Sequence, residues 1–421
     1  MNVLIKSSVL KGSVKIPPSK SIAHRAIICA ALADGESYLQ NIQYSQDILA
    51  TLEAVSALGA KVTRKENAVK IIGVNKPMQR ARIDCNESGS TLRFLIPVVA
   101  ALGIETSFLG KGRLPDRPLT SYQQIFANNT VHFTQSDQEI CSVKGKMSPG
   151  CFMIDGNISS QFITGLLFSL PLLSEDSKLM IHGTLESAPY IAITVDVLKS
   201  FGVQVVCQKN GFLVQGNQTF KATNYYIEGD YSQAAFFAVY GACFSPITLT
   251  GLKKNTLQGD RKILDYLHQA GACIEWKEET VHVFRDKLNS FTHNISDTPD
   301  LAPPLALLAL CCSGKSLLTG AGRLRLKESD RIASIAKCVK QLGAKAVVRE
   351  TELEIEGTNR LNGGSINSFS DHRIVMMAAI AGCQCVNDLV IQNAEAVKKS
   401  YPAFFTDYKR LGGRVYELNV E

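Results

Sequence analysis

Apolar residues recur at the helical period through Asp47–Leu58 and again through Asp260–Ala270, which predicts two amphipathic helices. Each runs into a short pattern that returns along the chain: an apolar residue with Gly, a basic or polar residue, then a β-branched one. It reads Leu58-Gly59-Ala60-Lys61-Val62, Phe201-Gly202-Val203-Gln204-Val205 and Ala270-Gly271-Ala272-Cys273-Ile274. It returns as Leu342-Gly343-Ala344-Lys345-Ala346 and Leu411-Gly412-Gly413-Arg414-Val415. A glycine at this point suits a helix C-cap that turns the chain into a strand. Strand-like runs such as Lys70-Ile71-Ile72 and Val281-His282-Val283-Phe284 follow the glycines. A glycine-free sixth copy lies at Phe126–Val131, after a helix beginning near Leu119.

The copies stand roughly 70 residues apart, far beyond a solenoid period. Six α+β modules are therefore expected, each needing neighbours to cover its apolar faces. Two globular halves of three modules fit the count. No low-complexity linker marks their boundary.

Composition narrows the class. At 421 residues the chain suits two or three domains, and a hydrophobic fraction of 45% can fill their cores. The net charge of +7 is modest and is not gathered into tails, and only one Trp is present, so no nucleic-acid partner is expected. Among twelve cysteines none is spaced CxxC, and most sit in apolar runs such as Ala26-Ile27-Ile28-Cys29-Ala30. They read as small buried hydrophobes of a reducing cytosol rather than zinc ligands, and neither metal nor cofactor is expected. Met1–Ser19 lacks the apolar stretch of a secretion signal, and no run is long enough to span a membrane, so a cytoplasmic location and no membrane partner are expected.

Cations placed at apolar helix starts are the anomaly, because helix starts normally prefer acids. Pro17-Pro18-Ser19-Lys20-Ser21-Ile22-Ala23-His24-Arg25 combines free N–H groups, hydroxyls and two cations, an anion site, although an ordinary capped helix reads similarly. Glu87-Ser88-Gly89-Ser90-Thr91-Leu92-Arg93 lets backbone approach a ligand but matches no Walker or dinucleotide fingerprint. Gly112-Arg113-Leu114-Pro115-Asp116-Arg117-Pro118 is an arginine loop stiffened by proline. Ser159-Ser160-Gln161-Phe162 offers neutral donors. In Arg323-Leu324-Arg325-Leu326-Lys327 the cations alternate with leucines, and a strand would point all three to one face. Lys327-Glu328-Ser329-Asp330-Arg331 then looks like a helix start with two cations four apart, a repulsion that an anion or facing acids must neutralise. Ser370-Asp371-His372-Arg373 and Lys398-Lys399-Ser400-Tyr401-Pro402 are two more basic helix starts, the first with Asp371 as its N-cap. Asp300, between prolines and apolar residues, reads as an isolated carboxylate whose pKa is raised toward that of a general base, or else as a cap.

In this order, from Lys20 to Lys399, the motifs resemble the EPSP (5-enolpyruvylshikimate-3-phosphate) synthase family over nearly the whole chain. The resemblance implies an α/β protein of α+β modules: a two-domain enolpyruvyl transferase fold with six βαβαββ-like repeats, three per domain, and an active site in the interdomain cleft. It places the crossings near Ser13–Lys20 and Glu228–Asp230, giving one domain of residues 1–17 plus 230–421 and a second of 18–229. It implies that Lys20 and Gln161 touch both substrates, and that Ser21, Arg25, Ser159, Ser160, Ser187, Tyr190, Asp300 and Lys327 meet shikimate 3-phosphate. Gly89, Arg117, Arg331, Arg373 and Lys399 would hold phosphoenolpyruvate. Asp300 would be the base at the 5-hydroxyl, and Glu328 or Lys20 the acid at the enolpyruvyl carbon. A monomer acting on two small anions follows, its halves held apart by cations until anions close the cleft. Two departures stand out: Glu87 where many relatives have Asn, and Arg323 where some have Asn. The alternatives are a non-catalytic anion-binding or regulatory protein of the same fold, and the related UDP-N-acetylglucosamine enolpyruvyl transferase. Against the latter, Lys20 is followed by Ser21, not Asn, and the Gly112–Arg117 loop has no Cys.

Overall fold

The computed structural model describes residues 1–418, which divide into two compact units: Met1–Ser19 with Glu228 onward, and Lys20–Ile227. Each has its own apolar core. Each holds three copies of one βαβαββ module, and every module builds a four-stranded sheet in the order first, second, fourth, third strand.

In the unit 20–227 one module is continuous. Strand Arg80–Asp84 leads through helix Gly89–Leu102 to a parallel strand, Glu105–Leu109; helix Thr120–Ala127 and the antiparallel strands His132–Ser136 and Glu139–Lys144 complete it. A second runs from strand Cys151–Asp155 to strand Gly211–Val214. The third is closed by the chain's return, with Asn224–Tyr226 parallel to Glu36–Gln40. The other unit does the same at the N-terminus. Strand Gly12–Lys15 pairs in parallel with Ile247–Thr250, and Asn2–Lys6 lies between Leu389–Gln392 and Arg414–Leu418.

The five glycines read as helix C-caps all adopt positive φ, from 78° at Gly202 to 112° at Gly59, where an L side chain is strained. The helix expected at Asp47–Leu58 spans Gln46–Ala57, capped by Ser45, whose side chain accepts from Ile48 N. The one expected at Asp260–Ala270 is a 3-10 turn, Gly259–Arg261, followed by helix Lys262–Gln269.

Within each module the two helices differ. The helix before the second strand is apolar nearly all round and buried: Lys20–Leu32, Gly89–Leu102 and Ser160–Ser169 in one unit, Tyr231–Cys243, Ala302–Cys311 and His372–Gly382 in the other. The helix after the second strand is amphipathic, as in Lys262–Gln269 and Arg331–Gln341. The cation motifs therefore fall in two kinds of place, the start of an inner helix and the loop after a second strand. Among the described residues no helix is long and apolar enough to cross a membrane.

Candidate active site

In the unit 20–227, Lys20 opens an inner helix, and its Nζ lies 2.6 Å from Asp47 Oδ2. One turn on, the Arg25 guanidinium is buried, with Nε donating to Thr194 Oγ1 at 2.8 Å. Its terminal nitrogens donate to the Ser21 carbonyl at 2.7 Å, the Tyr190 carbonyl at 3.0 Å and Thr164 Oγ1 at 3.4 Å. The group packs 5.1 Å from the Phe94 ring. Burial pushes the Arg25 pKa down to about 10, still high enough to keep the charge at neutral pH. Burial, then Lys20 and Arg25, pushes His24 down, so its ring is neutral and bonds Thr51 through Nδ1 at 2.7 Å.

Gly89 starts the second inner helix, where Ser88 accepts from Thr91 N at 3.2 Å. A Cβ on Gly89 would stand 2.8 Å from an Arg117 guanidinium nitrogen, so glycine is what lets the arginine loop reach this helix start. Gln161, from the third inner helix, accepts from Arg93 at 2.8 Å and donates to Ser90 Oγ at 3.0 Å. Arg93 also donates to the Pro118 carbonyl at 3.3 Å and lies 4.9 Å from the Phe162 ring. The structure thus gathers Gly89, Arg117 and Gln161, and adds Arg93, to which the sequence assigns no role. Ser159 caps the third helix, with Ser160 buried beside it. Ser187 is buried at φ 57°, just before the helix carrying Tyr190. Glu87 lies against the backbone at Gly112, where any Cβ would overlap its carboxylate; this locates the departure at the entry to the arginine loop.

In the other unit the arrangement around Asp300 corrects the sequence reading. Asp300 is not isolated: Oδ1 accepts from Arg331 at 2.9 Å and Lys327 Nζ at 3.3 Å, and Oδ2 from Arg373 at 3.0 Å. Burial alone would push its pKa up. Arg373, Lys327 and Arg331 outweigh burial and hold it well below the usual carboxylate range. Arg331, fully buried, also bonds Glu328, while its Nε donates to Asp371 Oδ2 at 2.9 Å. Burial opposes its charge, but Asp371, Glu328 and Asp300 prevail and raise its pKa. Asp371 further accepts from Ser329 Oγ at 3.0 Å and caps its helix through Arg373 N at 2.9 Å. Facing acids, one of the two expected neutralisers, meet these cations.

Three local expectations fail. Gly322–Leu326 is a 3-10 turn, not a strand, so its cations diverge: Arg323 donates to the Ser296 carbonyl at 2.5 Å, Arg325 to the Arg349 carbonyl at 3.1 Å, and Lys327 reaches Asp300. The helix begins at Arg331, capped by Asp330, which leaves Lys327 outside it. Lys398 and Lys399 end a 3-10 turn, Ala394–Lys399, rather than start a helix, and Lys399 Nζ donates to the Ser370 carbonyl at 2.7 Å.

The known proteins that this chain is similar to agree with the fold. The family model described as EPSP synthase (3-phosphoshikimate 1-carboxyvinyltransferase) matches residues 4–408. A 3-phosphoshikimate 1-carboxyvinyltransferase of Clostridium beijerinckii is 44% identical over 431 residues, covering 100% of this chain and 99% of that one. Its counterpart in Clostridioides difficile is 42% identical, covering 99% and 98%. The EPSP synthase structure from Acinetobacter baumannii superposes with a TM-score of 0.82 at 25% identity, covering 99% of this chain and 100% of that one. An enolpyruvyl transferase from Streptomyces tendae, 15% identical, shares the fold with a TM-score of 0.81 over 100% of this chain and 99% of its own. With the family match spanning nearly the whole chain, this protein belongs to the EPSP synthase (3-phosphoshikimate 1-carboxyvinyltransferase) family.

Proposed function

We propose that this chain moves the enolpyruvyl group of phosphoenolpyruvate onto the 5-hydroxyl of shikimate 3-phosphate, releasing inorganic phosphate. The observation that carries this reading is a carboxylate, Asp300, held in place by three cations, Lys327, Arg331 and Arg373. Such a group can take a proton from a hydroxyl while its neighbours hold the anion that the hydroxyl attacks.

The hydroxyl oxygen bonds to C2 of phosphoenolpyruvate and its proton passes to Asp300. C3 gains a proton from Glu328 or Lys20, giving a tetrahedral adduct. The bond from C2 to the phosphate oxygen then breaks, and C3 gives up a proton to restore the double bond. Unliganded, Asp300 is a weak base because its cations hold it ionised. Substrate anions that draw Arg373 and Lys327 to themselves weaken that hold and make Asp300 a better acceptor in the complex. Arg331, Arg373, Lys399, Arg117 and Gly89 are assigned to phosphoenolpyruvate. Ser21, Arg25, Ser159, Ser160, Ser187, Tyr190 and Lys327 are assigned to shikimate 3-phosphate, and Lys20 and Gln161 to both. A cytoplasmic monomer is part of the same reading. The test is phosphate release by the purified chain given both substrates. Release that requires both supports the reading, and no release with both present would sink it.

A further inference from the structure

The three modules of the unit containing Asp300 share one order of elements. The loop after the second strand carries Lys327 in one module and Lys399 in another. In the module whose second strand is Ile247–Thr250, that segment carries Lys253 and Lys254 and then, in the turn Gly259–Arg261, Asp260. It is buried, 4% exposed, and Ser232, in the first turn of inner helix Tyr231–Cys243, donates its hydroxyl to it. The charged groups that act on it are Asp300 and Arg373 from the neighbouring inner helix starts and Asp230 at the N-cap of the helix bearing Ser232, and Arg261 and Lys262 follow it in the chain.

Arg373 bonds Asp300 at 3.0 Å, and its charge also favours the ionised form of the buried Asp260. Asp300 has Lys327 and Arg331 besides, so the negative charge settles there. We infer that Asp260 is a proton-carrying positioning residue: it takes up a proton when an anionic substrate group binds at Arg373, and so releases that guanidinium's charge to the ligand. Burial first, then Asp300, pushes the Asp260 pKa from 3.8 to about 7, against the pull of Arg373 and the Ser232 hydroxyl. Near neutral pH the carboxyl is poised between its two forms, and a third negative charge beside Arg373 tips it to the neutral one.

The inference rests on the proposed reaction for its ligand, so two kinds of readout are needed. In the first, KM for phosphoenolpyruvate is followed from pH 6.5 to 9 at saturating shikimate 3-phosphate. A substrate phosphate has its second pKa near about 6, so it adds little to the upper half of this range. For the unmodified chain KM should climb above pH 7, approaching about tenfold per pH unit, the limit for one linked proton. Asp260→Asn, which mimics the neutral form, should stay flat and bind more tightly than the unmodified chain at pH 9. Ser232→Ala removes a bond to the ionised form and should move the rise to higher pH. A rise of unchanged slope in Asp260→Asn, or a uniform loss at every pH, would overturn the inference. The second readout needs no turnover and no variant. Infrared difference spectra of the unmodified chain should show a protonated carboxyl that titrates near pH 7 and persists to higher pH when sulfate is added. Absence of that carboxyl, or its indifference to sulfate, would refute the inference even if the enzyme proved active; no turnover with a sulfate-sensitive carboxyl would refute the reaction instead.

Discussion

Two buried arginines, one in each unit, are held in opposite ways. Arg25 lies among hydroxyls, carbonyls and a phenyl ring, and its pKa falls to about 10. Arg331 lies among Asp300, Glu328 and Asp371, and its pKa rises. Both are buried, but of the two only Arg331 bonds carboxylates among the described residues, whereas the partners of Arg25 are neutral and leave its charge uncompensated. An anion arriving there gains the full attraction of a desolvated cation. An anion arriving near Arg331 must compete with carboxylates that are already bonded. The first arrangement suits affinity for a phosphate. The second fixes geometry and holds Asp300 ionised, the form in which it can accept a proton.

That contrast can be broken in several ways. The largest effect is expected at Asp300, whose replacement by Asn should lower kcat by about 10²- to 10⁴-fold, the usual share of a general base; steady-state phosphate release measures it, and near-normal turnover would remove Asp300 as base. Next comes stability. Asp371→Asn takes the charge from a fully buried partner of Arg331 and should cost about 3–5 kcal/mol in urea unfolding. Thr194→Ala removes one neutral partner of Arg25 and should cost about 1.5–3 kcal/mol. Equal losses would erase the distinction between the two sites. Gly89→Ala crowds Arg117 and should raise KM for phosphoenolpyruvate about tenfold, the equivalent of 1.4 kcal/mol, with a smaller change in kcat.

The smallest effect is the pH slope of stability. The folded chain keeps a proton on Asp260 that the unfolded chain releases between pH 3.8 and about 7, so Asp260 lowers stability as pH rises through that window. Asp300 acts in the opposite sense, its contribution being present above the usual carboxylate range and lost as pH falls into and below it. Asp260→Asn should make the stability profile between pH 4 and 7 rise more steeply or fall less. Chemical denaturation at fixed pH intervals measures this, and an unchanged profile would contradict the assignment.

Much of this was legible in the sequence because the signals are local. Gly59, Gly202, Gly271, Gly343 and Gly412 each end a helix whatever the rest of the chain does, so the modules could be counted. Cations at apolar helix starts stand out because they break a local preference. What was hidden depends on distant residues. Nothing near Asn2–Lys6 says that it pairs with Arg414–Leu418. Asp300 looked isolated because Arg331 and Arg373 lie 31 and 73 positions away. Asp47 and Asp260 read as ordinary residues of amphipathic helices, and Asp371 showed its cap but not its grip on Arg331. The alternation Arg323–Lys327 imitates a strand, but the segment folds into a 3-10 turn instead. The Phe126–Val131 copy carries no glycine, and its helix ends at Asn128 with φ −107°.

The central claim is that acids of this protein move protons to and from carbon while cations hold the anions. It is tested most directly by running the reaction in D2O and examining the enolpyruvyl product by mass and NMR. Addition followed by elimination requires a solvent-derived proton at C3, so deuterium should appear there, and Glu328→Gln or a Lys20 variant should slow its arrival. A product formed at the normal rate with no deuterium at C3 would contradict the account.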